Sequence, residues 1–427
     1  MKNTKILLLC CIAILTLQCV SNKANTTSQA TTAAIQNLKN WLAKPAEERG
    51  ALESTTFAKE ELTKTQAEEA IKLLYSDKKA LMLEKYGKEW DKRELSYQDY
   101  KMRFFYDKFG KKPADGRSLY ISLHGGGGAP ASVNDQQYNN QKHLYDATMK
   151  NMEGIYLAPR APTNTWNLWH ESHIDELMNL LIQMAVIKEN VNPNKVYLLG
   201  YSAGGDGVYQ LAPRMADRWA AASMMAGHPN DALPFNLRNT PFTIHMGAED
   251  AAYNRNKVAQ KWKDALQELQ SQTSKSAYVH EVQIHEGLGH WMKLEDKVAL
   301  PWMAKFQRNP IPEKIAWKQS GRHHASFYWV KTPKEMIETK GEIKVAYNRA
   351  VNEIIINENY GEIIELLIND KMLDLDNVIT IKYKDKVLHK GKLTRSILNI
   401  QESLAGKGDL NLAFSAKVSI KNNEIIQ

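Results

Sequence analysis

The sequence predicts an α/β fold: a doubly wound, mostly parallel sheet carrying an N-terminal helical segment and a small C-terminal all-β domain. Three observations predict it. Between about residues 100 and 308, apolar runs of strand length alternate with amphipathic helical stretches, the pattern of right-handed crossovers in a doubly covered sheet. From about 35 to 94 the pattern is helical and highly charged. Beyond about 310, helical periodicity nearly disappears in favour of short Ile/Val-rich runs broken by Asn, Asp and Gly. A chain of 427 residues, 43% hydrophobic with 10 Trp and 18 Tyr, has room for two or three units with real cores.

The elements follow in order. "MKNTK" is a short positive segment, and Ile6 to Leu17 is an apolar run of 12, too short to span a bilayer but suited to a secretory leader. A signal peptide over 1–19 is expected, with export to the periplasm, the cell envelope or the medium. All 3 cysteines (Cys10, Cys11, Cys19) lie in or directly after this run, so the mature chain has no disulfide. Cys19 stands where a lipoprotein would carry its lipid anchor, although Gln18 occupies a position where a small residue is usual; lipidation and plain cleavage both stay open. Residues 20–94 read as a Ser/Thr/Asn/Ala-rich tether and a helical segment, whose best helix starts at Thr65 with Glu68 as capping partner and Ala70, Leu73, Leu74 and Leu81 on its apolar side.

Residues 95–309 hold the catalytic unit. "MRFFYD", "SLYISL", "GIYLAP", "KVYLL", "AAASMM", "PFTIHM" and "AYVHEVQI" read as strands. A helix runs from about Ser172 to Lys188 with Ile174, Leu177, Leu181 and Met184 on one side; another carries Val258, Trp262, Ala265, Leu266 and Leu269. Residues 310–427 form the β-rich accessory domain, a sandwich or barrel-like unit with "YKDKV" as a hairpin connection. The formal net charge of +8 comes without a dense Lys/Arg run interleaved with aromatics, so no nucleic-acid partner is expected.

The chemistry concentrates in two glycine-rich turns. In "KVYLLGYSAGGDG" a strand ends at Leu199, and Gly200 to Gly204 fits G-x-S-x-G. Such a turn holds the serine in unfavourable backbone angles and presents its Oγ above the sheet at a helix N-terminus. About 0.1 chance matches are expected in a chain this size, so the position after a strand is what gives the motif weight. In "LYISLHGGGGAP" a strand ends at Leu123 and His124 precedes the run Gly125 to Gly128. Amides of Gly125, Gly126 and Gly127, together with that of Ala203, would form an oxyanion hole, worth about 3–4 kcal/mol per donor. A phosphate loop would need a lysine absent here. His124, ahead of the serine, braces the loop.

The stretch "QIHEGLGHWM" places His285 and His290 five apart with Gly287 and Gly289 between them. A zinc hydrolase needs histidines four apart on a helix, so no metal and no cofactor is expected. Adjacent His323 and His324, at the domain junction, take a plain structural reading. Trp166 and Trp169 follow a strand's C-terminal end, where open sheets bind ligands; pocket lining and core packing both stay open for them. Tyr201 and Trp291 flank the chemistry and would shape the pocket.

"HGGGG", "NPNKVYLLGYSAGG", "GAED" and "GLGHW" together resemble the α/β-hydrolase superfamily, and the wording around the serine is similar to secreted esterases of the polyhydroxybutyrate-depolymerase and feruloyl-esterase type. The resemblance covers residues 100 to 308 only. It implies the order serine, acid, base: Ser202 as nucleophile, Asp250 as acid with Glu249 in reserve, and His290 as base, His285 being a packing or neighbouring residue. It implies an exported serine esterase acting on small-molecule or polysaccharide esters through an acyl-enzyme. Two rivals remain. A prolyl-oligopeptidase-like peptidase would carry a large propeller ahead of the catalytic unit, where this chain has a short helical segment. A non-catalytic envelope lipoprotein that binds glycans would not need the complete set of serine, acid and histidine.

Overall fold

The computed structural model describes residues 33–319, 324–333 and 341–426. The expected leader, Cys19, most of the tether and His323 lie outside the described residues. Helix α1 spans 33–42 and α2 spans Lys64–Asp91. The expected start of α2 at Thr65 is corrected: Thr63 is the cap, its Oγ1 accepting from the Gln66 N–H while Gln66 Oε1 accepts from the Thr63 N–H. The same Thr-x-x-Gln/Glu spacing occurs two residues earlier than expected. Leu81 is 38% exposed and not on the buried stripe, which runs instead through Ala67, Ala70, Leu74 and Trp90.

The central sheet contains β1 (Glu94–Tyr97), β2 (Tyr100–Phe109), β3 (Arg117–Leu123), β4 (Gly154–Pro159), β5 (Val191–Tyr201), β6 (Ala221–Met225), β7 (Phe242–Gly247) and β8 (His280–His285). Their order is β1-β2-β4-β3-β5-β6-β7-β8. Pairing is parallel from β4 through β8, while β1 and β2 add an antiparallel edge. The inner strands read as continuous apolar runs because both faces are covered. The crossovers contain α3 (Ala131–Gln141), α4 (Asp146–Met149), α5 (Ser172–Glu189), α6 (Ala203–Arg214) and α7 (Arg255–Ser271), and α8 (Ala299–Met303) follows the last strand. On α5, Ile174, Leu177, Leu181 and Met184 are all fully buried, as their spacing predicts. Every strand of the parallel series was readable from the sequence; β1 and α3 were not.

The C-terminal region forms two five-stranded sheets, β10-β11-β14-β17-β18 and β16-β15-β13-β12-β9. The strands are β9 (Lys314–Lys318), β10 (Ser326–Phe327), β11 (Val330–Lys331), β12 (Glu342–Asn348), β13 (Glu353–Asn359), β14 (Ile363–Ile368), β15 (Ile379–Tyr383), β16 (Lys386–Gly391), β17 (Ala416–Lys421) and β18 (Glu424–Ile426). Trp317, Trp329, Ile354, Ile364 and Ile381 fill the core between them. Helix α9 (Ile397–Lys407) interrupts this β-rich region and corrects the expectation that helical periodicity ends near 310. Ser396 caps it by accepting from the Asn399 N–H. Its Ile397, Ile400 and Leu404 pack in one core with Ala67, Ala70 and Leu74 of α2.

The two regions meet through buried charges. Arg308 Nη2 lies 2.5 Å from Asp409 Oδ2, and Arg308 Nη1 donates to the Asp217 carbonyl at 2.7 Å. Lys407 pairs with the Asp217 carboxylate, which also accepts from the Tyr328 N–H at 3.0 Å.

Candidate active site

Ser202 stands between β5 and α6 with φ 59° and ψ −121°, a strained combination for a residue with a side chain. Two backbone bonds hold it there: its N–H donates to Met225 O at 3.0 Å, and its carbonyl accepts from the Asp206 N–H at 3.0 Å. The flanking glycines are required by close approach. A Cβ on Gly200 would lie 2.3 Å from Gly204 O, and one on Gly204 would lie 2.1 Å from Leu123 O. The elbow is thus clamped between α6 and the end of β3.

Asp250 follows β7 in a turn closed by its N–H to Gly247 O at 3.1 Å, and His290 lies in the loop after β8. The turn and the loop are tied together, Glu249 N–H donating to Leu288 O at 2.9 Å and Ala248 N–H to His285 O at 3.0 Å. Three distant segments therefore converge. His290 Nδ1 is 2.7 Å from Asp250 Oδ2, and His290 Nε2 is 2.9 Å from Ser202 Oγ. With the carboxylate accepting from Nδ1–H, the lone pair of Nε2 faces the serine hydroxyl. Asp250 is buried, with Arg255 Nη1 3.6 Å from its other oxygen, while Glu249, the reserve acid, is exposed. Tyr201 braces the loop: its hydroxyl donates to His290 O at 2.5 Å and accepts from the Met292 N–H at 2.9 Å.

The glycine loop is fixed from behind. His124 is buried; its Nδ1–H donates to Gly125 O at 2.6 Å and its Nε2 accepts from the Ala161 N–H at 3.1 Å. Both nitrogens are engaged by the neutral ring, and burial pushes its pKa down to about 4. Gly125 runs beside Ser202, where an added Cβ would lie 3.2 Å from Ser202 Cβ. Gly125 and Gly126 line the cleft with Ser202, and the Ala203 amide is the first of α6, a position without an intrahelical acceptor. Gly127 is a correction: its N–H donates to Asn134 Oδ1 at 2.8 Å, so it serves loop geometry rather than the cleft.

The cleft encloses about 900 Å³. Tyr201 and Trp291 line it, the latter 51% exposed. Trp169 does not: it is fully buried, donating from Nε1 to His124 O at 3.0 Å, and the pocket role considered for it is overturned by core packing. Trp166 is 64% exposed, edge-on to His170, and lies outside the lining. The opposite wall comes from α3 and the turn after it: Val133, Gln137, Asn140, Gln141 and Leu144 recur at helical spacing toward the serine. Sequence reading missed this wall because "NDQQYNNQ" has almost no apolar periodicity; Pro130 just before the helix was the available signal. His285 sits at the end of β8, its Nε2 3.2 Å from His245 Nδ1, away from the serine. His324 faces Asp175 of α5 at 3.3 Å. Among the described residues there is no cluster of three or more His, Cys, Asp or Glu that could hold a metal ion.

Residues 157–310 match the dienelactone hydrolase family. No curated protein sequence matches the chain. Among solved structures, a thermostable esterase is similar at 16% identity and TM-score 0.40, over 50% of this chain and 62% of that one. The poly(3-hydroxybutyrate) depolymerase LpqC from Bordetella parapertussis is similar at 17% identity and TM-score 0.39, over 51% and 90%. A ferulic acid esterase is similar at 14% identity and TM-score 0.32, over 48% and 98%. This chain spans under two thirds of the thermostable esterase's length, and the functional reading rests on the site's own geometry. The stretch 157–310 that matches the dienelactone hydrolase family lies within the unit built on the eight-stranded, mostly parallel sheet, ahead of the two five-stranded sheets.

Proposed function

We propose that the protein is an exported serine hydrolase of carboxylic esters, with Ser202, His290 and Asp250 as its triad. The observation that carries this is the hydrogen-bonded line Asp250–His290–Ser202, at 2.7 and 2.9 Å, opening into a cleft. His290 Nε2 takes the hydroxyl proton as Ser202 Oγ attacks the ester carbonyl. The oxyanion accepts from the amides of Ala203 and the Gly125–Gly126 loop, with Asp250 stabilising the imidazolium. The C–O bond to the alcohol breaks, and His290 returns its proton to the departing oxygen. Water then gives a proton to His290 and its oxygen to the acyl carbon; the acid leaves, and Ser202 regains its hydrogen.

The acyl group is read as one linked to a polysaccharide. The α3 wall offers side-chain amides of Gln137 and Asn140 opposite the exposed ring of Trp291, an arrangement suited to sugar hydroxyls and a sugar face. Export, and a lipid anchor at Cys19, rest on the N-terminal sequence alone. Fluorophosphonate labelling tests the reading: wild type labels, Ser202→Ala does not, and His290→Ala labels far more slowly. Equal labelling of wild type and Ser202→Ala would refute the assignment of the nucleophile.

A further inference from the structure

The cleft opens at the carboxyl ends of β3, β5 and β8. At the other ends of β7 and β8 the hydrolase body and the β domain enclose a second groove. Its inner wall is the helical turn Pro234–Asn239 just before β7, with Tyr278 just before β8; its outer wall is β9 and β12. Side-chain amides fasten these walls together. Asn239 Nδ2 donates to Lys314 O at 2.9 Å, Asn236 Nδ2 donates to Lys318 O at 3.1 Å, and the Lys318 N–H donates back to Asn236 Oδ1 at 2.7 Å. The groove is preformed, as two adjoining hollows of about 480 and 660 Å³ that share Arg238, Ser274 and Lys314.

Its charge is one-sided. Arg238, Lys314 and Lys371 line it, and none of the three forms a salt bridge with a described residue. The neighbouring Glu342 is committed to Lys318 at 3.3 Å and Lys344 at 2.8 Å. Glu313 is then the one carboxylate among the described lining residues. Uncompensated like charges on a concave wall repel one another and concentrate their field on whatever enters. Concavity excludes a flat membrane surface, and the spread of the cations over two hollows suits a chain with repeated charges better than a single small anion. Hydroxyls of Ser274 and Ser276 and the ring of Tyr347, fixed by its bond to Ile311 O at 3.0 Å, supply polar and planar contacts between the charges.

We propose that this junction groove binds one chain of an anionic polysaccharide, its carboxylates or sulfates meeting Arg238, Lys314 and Lys371. The length of β7, about 20 Å at a strand's rise per residue, separates it from Ser202. It is an anchoring site, independent of the hydrolytic reading.

Affinity electrophoresis of the full chain in polygalacturonate, dextran sulfate or neutral dextran tests this. Retardation is expected in one or both of the charged gels, their comparison telling carboxylate from sulfate, and none in neutral dextran. The triple variant Arg238→Gln/Lys314→Gln/Lys371→Gln should bind about tenfold more weakly or worse. A control with the same net charge, Lys64→Gln/Lys79→Gln/Lys88→Gln on exposed positions of α2, should lose much less. Thermal melting verifies that both are folded, and Ser202→Ala should bind as wild type does whether or not it has lost hydrolysis. The proposal fails if neither acidic polysaccharide binds, if the control weakens binding as much as the groove variant, or if duplex DNA or anionic vesicles bind more tightly than both.

Discussion

Asp250 in the cleft and Asp409 at the domain junction are equally buried, each with 2% of its side chain exposed, but their partners differ. Asp250 faces an imidazole that is 43% exposed and whose other nitrogen lies 2.9 Å from Ser202 Oγ. Asp409 faces two guanidinium groups, Arg308 at 2.5 Å and Arg218 at 3.6 Å. Burial alone would raise the Asp409 pKa; the two arginine charges outweigh it and hold the carboxyl below its usual range. In the proposed reading the first carboxylate assists proton transfer at Ser202; the second holds two regions in register. Equal burial says little about role; what the partner itself touches says more.

Four variants or conditions would break or sharpen this contrast. The largest effect is expected for Ser202→Ala, which should lower kcat on p-nitrophenyl acetate by about 10⁴-fold or more with an unchanged melting midpoint; a rate near wild type would erase the contrast. Next, Asp409→Ala should destabilise by about 3–5 kcal/mol, because it strands buried guanidinium charge, while kcat per folded molecule stays the same. Urea titration with an activity assay measures both.

The third concerns pH. His124 has a folded pKa of about 4, set first by burial, below the ordinary histidine value of 6.5. Its neutral form contributes stability that is complete above about pH 6.5 and is lost as pH falls toward 4, by about 3 kcal/mol. His245, pushed down to about 3 by burial, adds to the same trend. Urea midpoints at pH 7.5 and 4.5 should differ accordingly, and His124→Phe should show a shallower dependence. The smallest effect separates two tryptophans: Trp291→Ala should raise KM for a sugar ester by about fivefold through lost apolar contact, whereas Trp166→Ala should change stability by under about 0.5 kcal/mol. Equal KM effects would bring Trp166 back to the cleft.

What the sequence disclosed and what it hid follow one rule. Gly200, Ser202 and Gly204 are legible because their spacing within five residues is itself the signal, although the turn forbids a side chain only at Gly200 and the end of β3 forbids one at Gly204. The parallel strands are legible because burial on both faces leaves continuous apolar runs. The Gly127 amide was misjudged because its acceptor, Asn134, sits on a helix with no apolar period. Trp169 was left undecided since only the fold shows it covered, beneath His124. Helix α9 was missed since its apolar residues, Ile397, Ile400 and Leu404, face a partner more than 300 positions away in the chain.

That partnership constrains how the molecule is made. The stripe of α2 is completed by α9, more than 300 positions later, so synthesis must reach α9 before that core can close. A nascent chain paused before α9 emerges leaves the α9-facing side of Ala67, Ala70 and Leu74 open to water, so such a pause delays the final closure of that core.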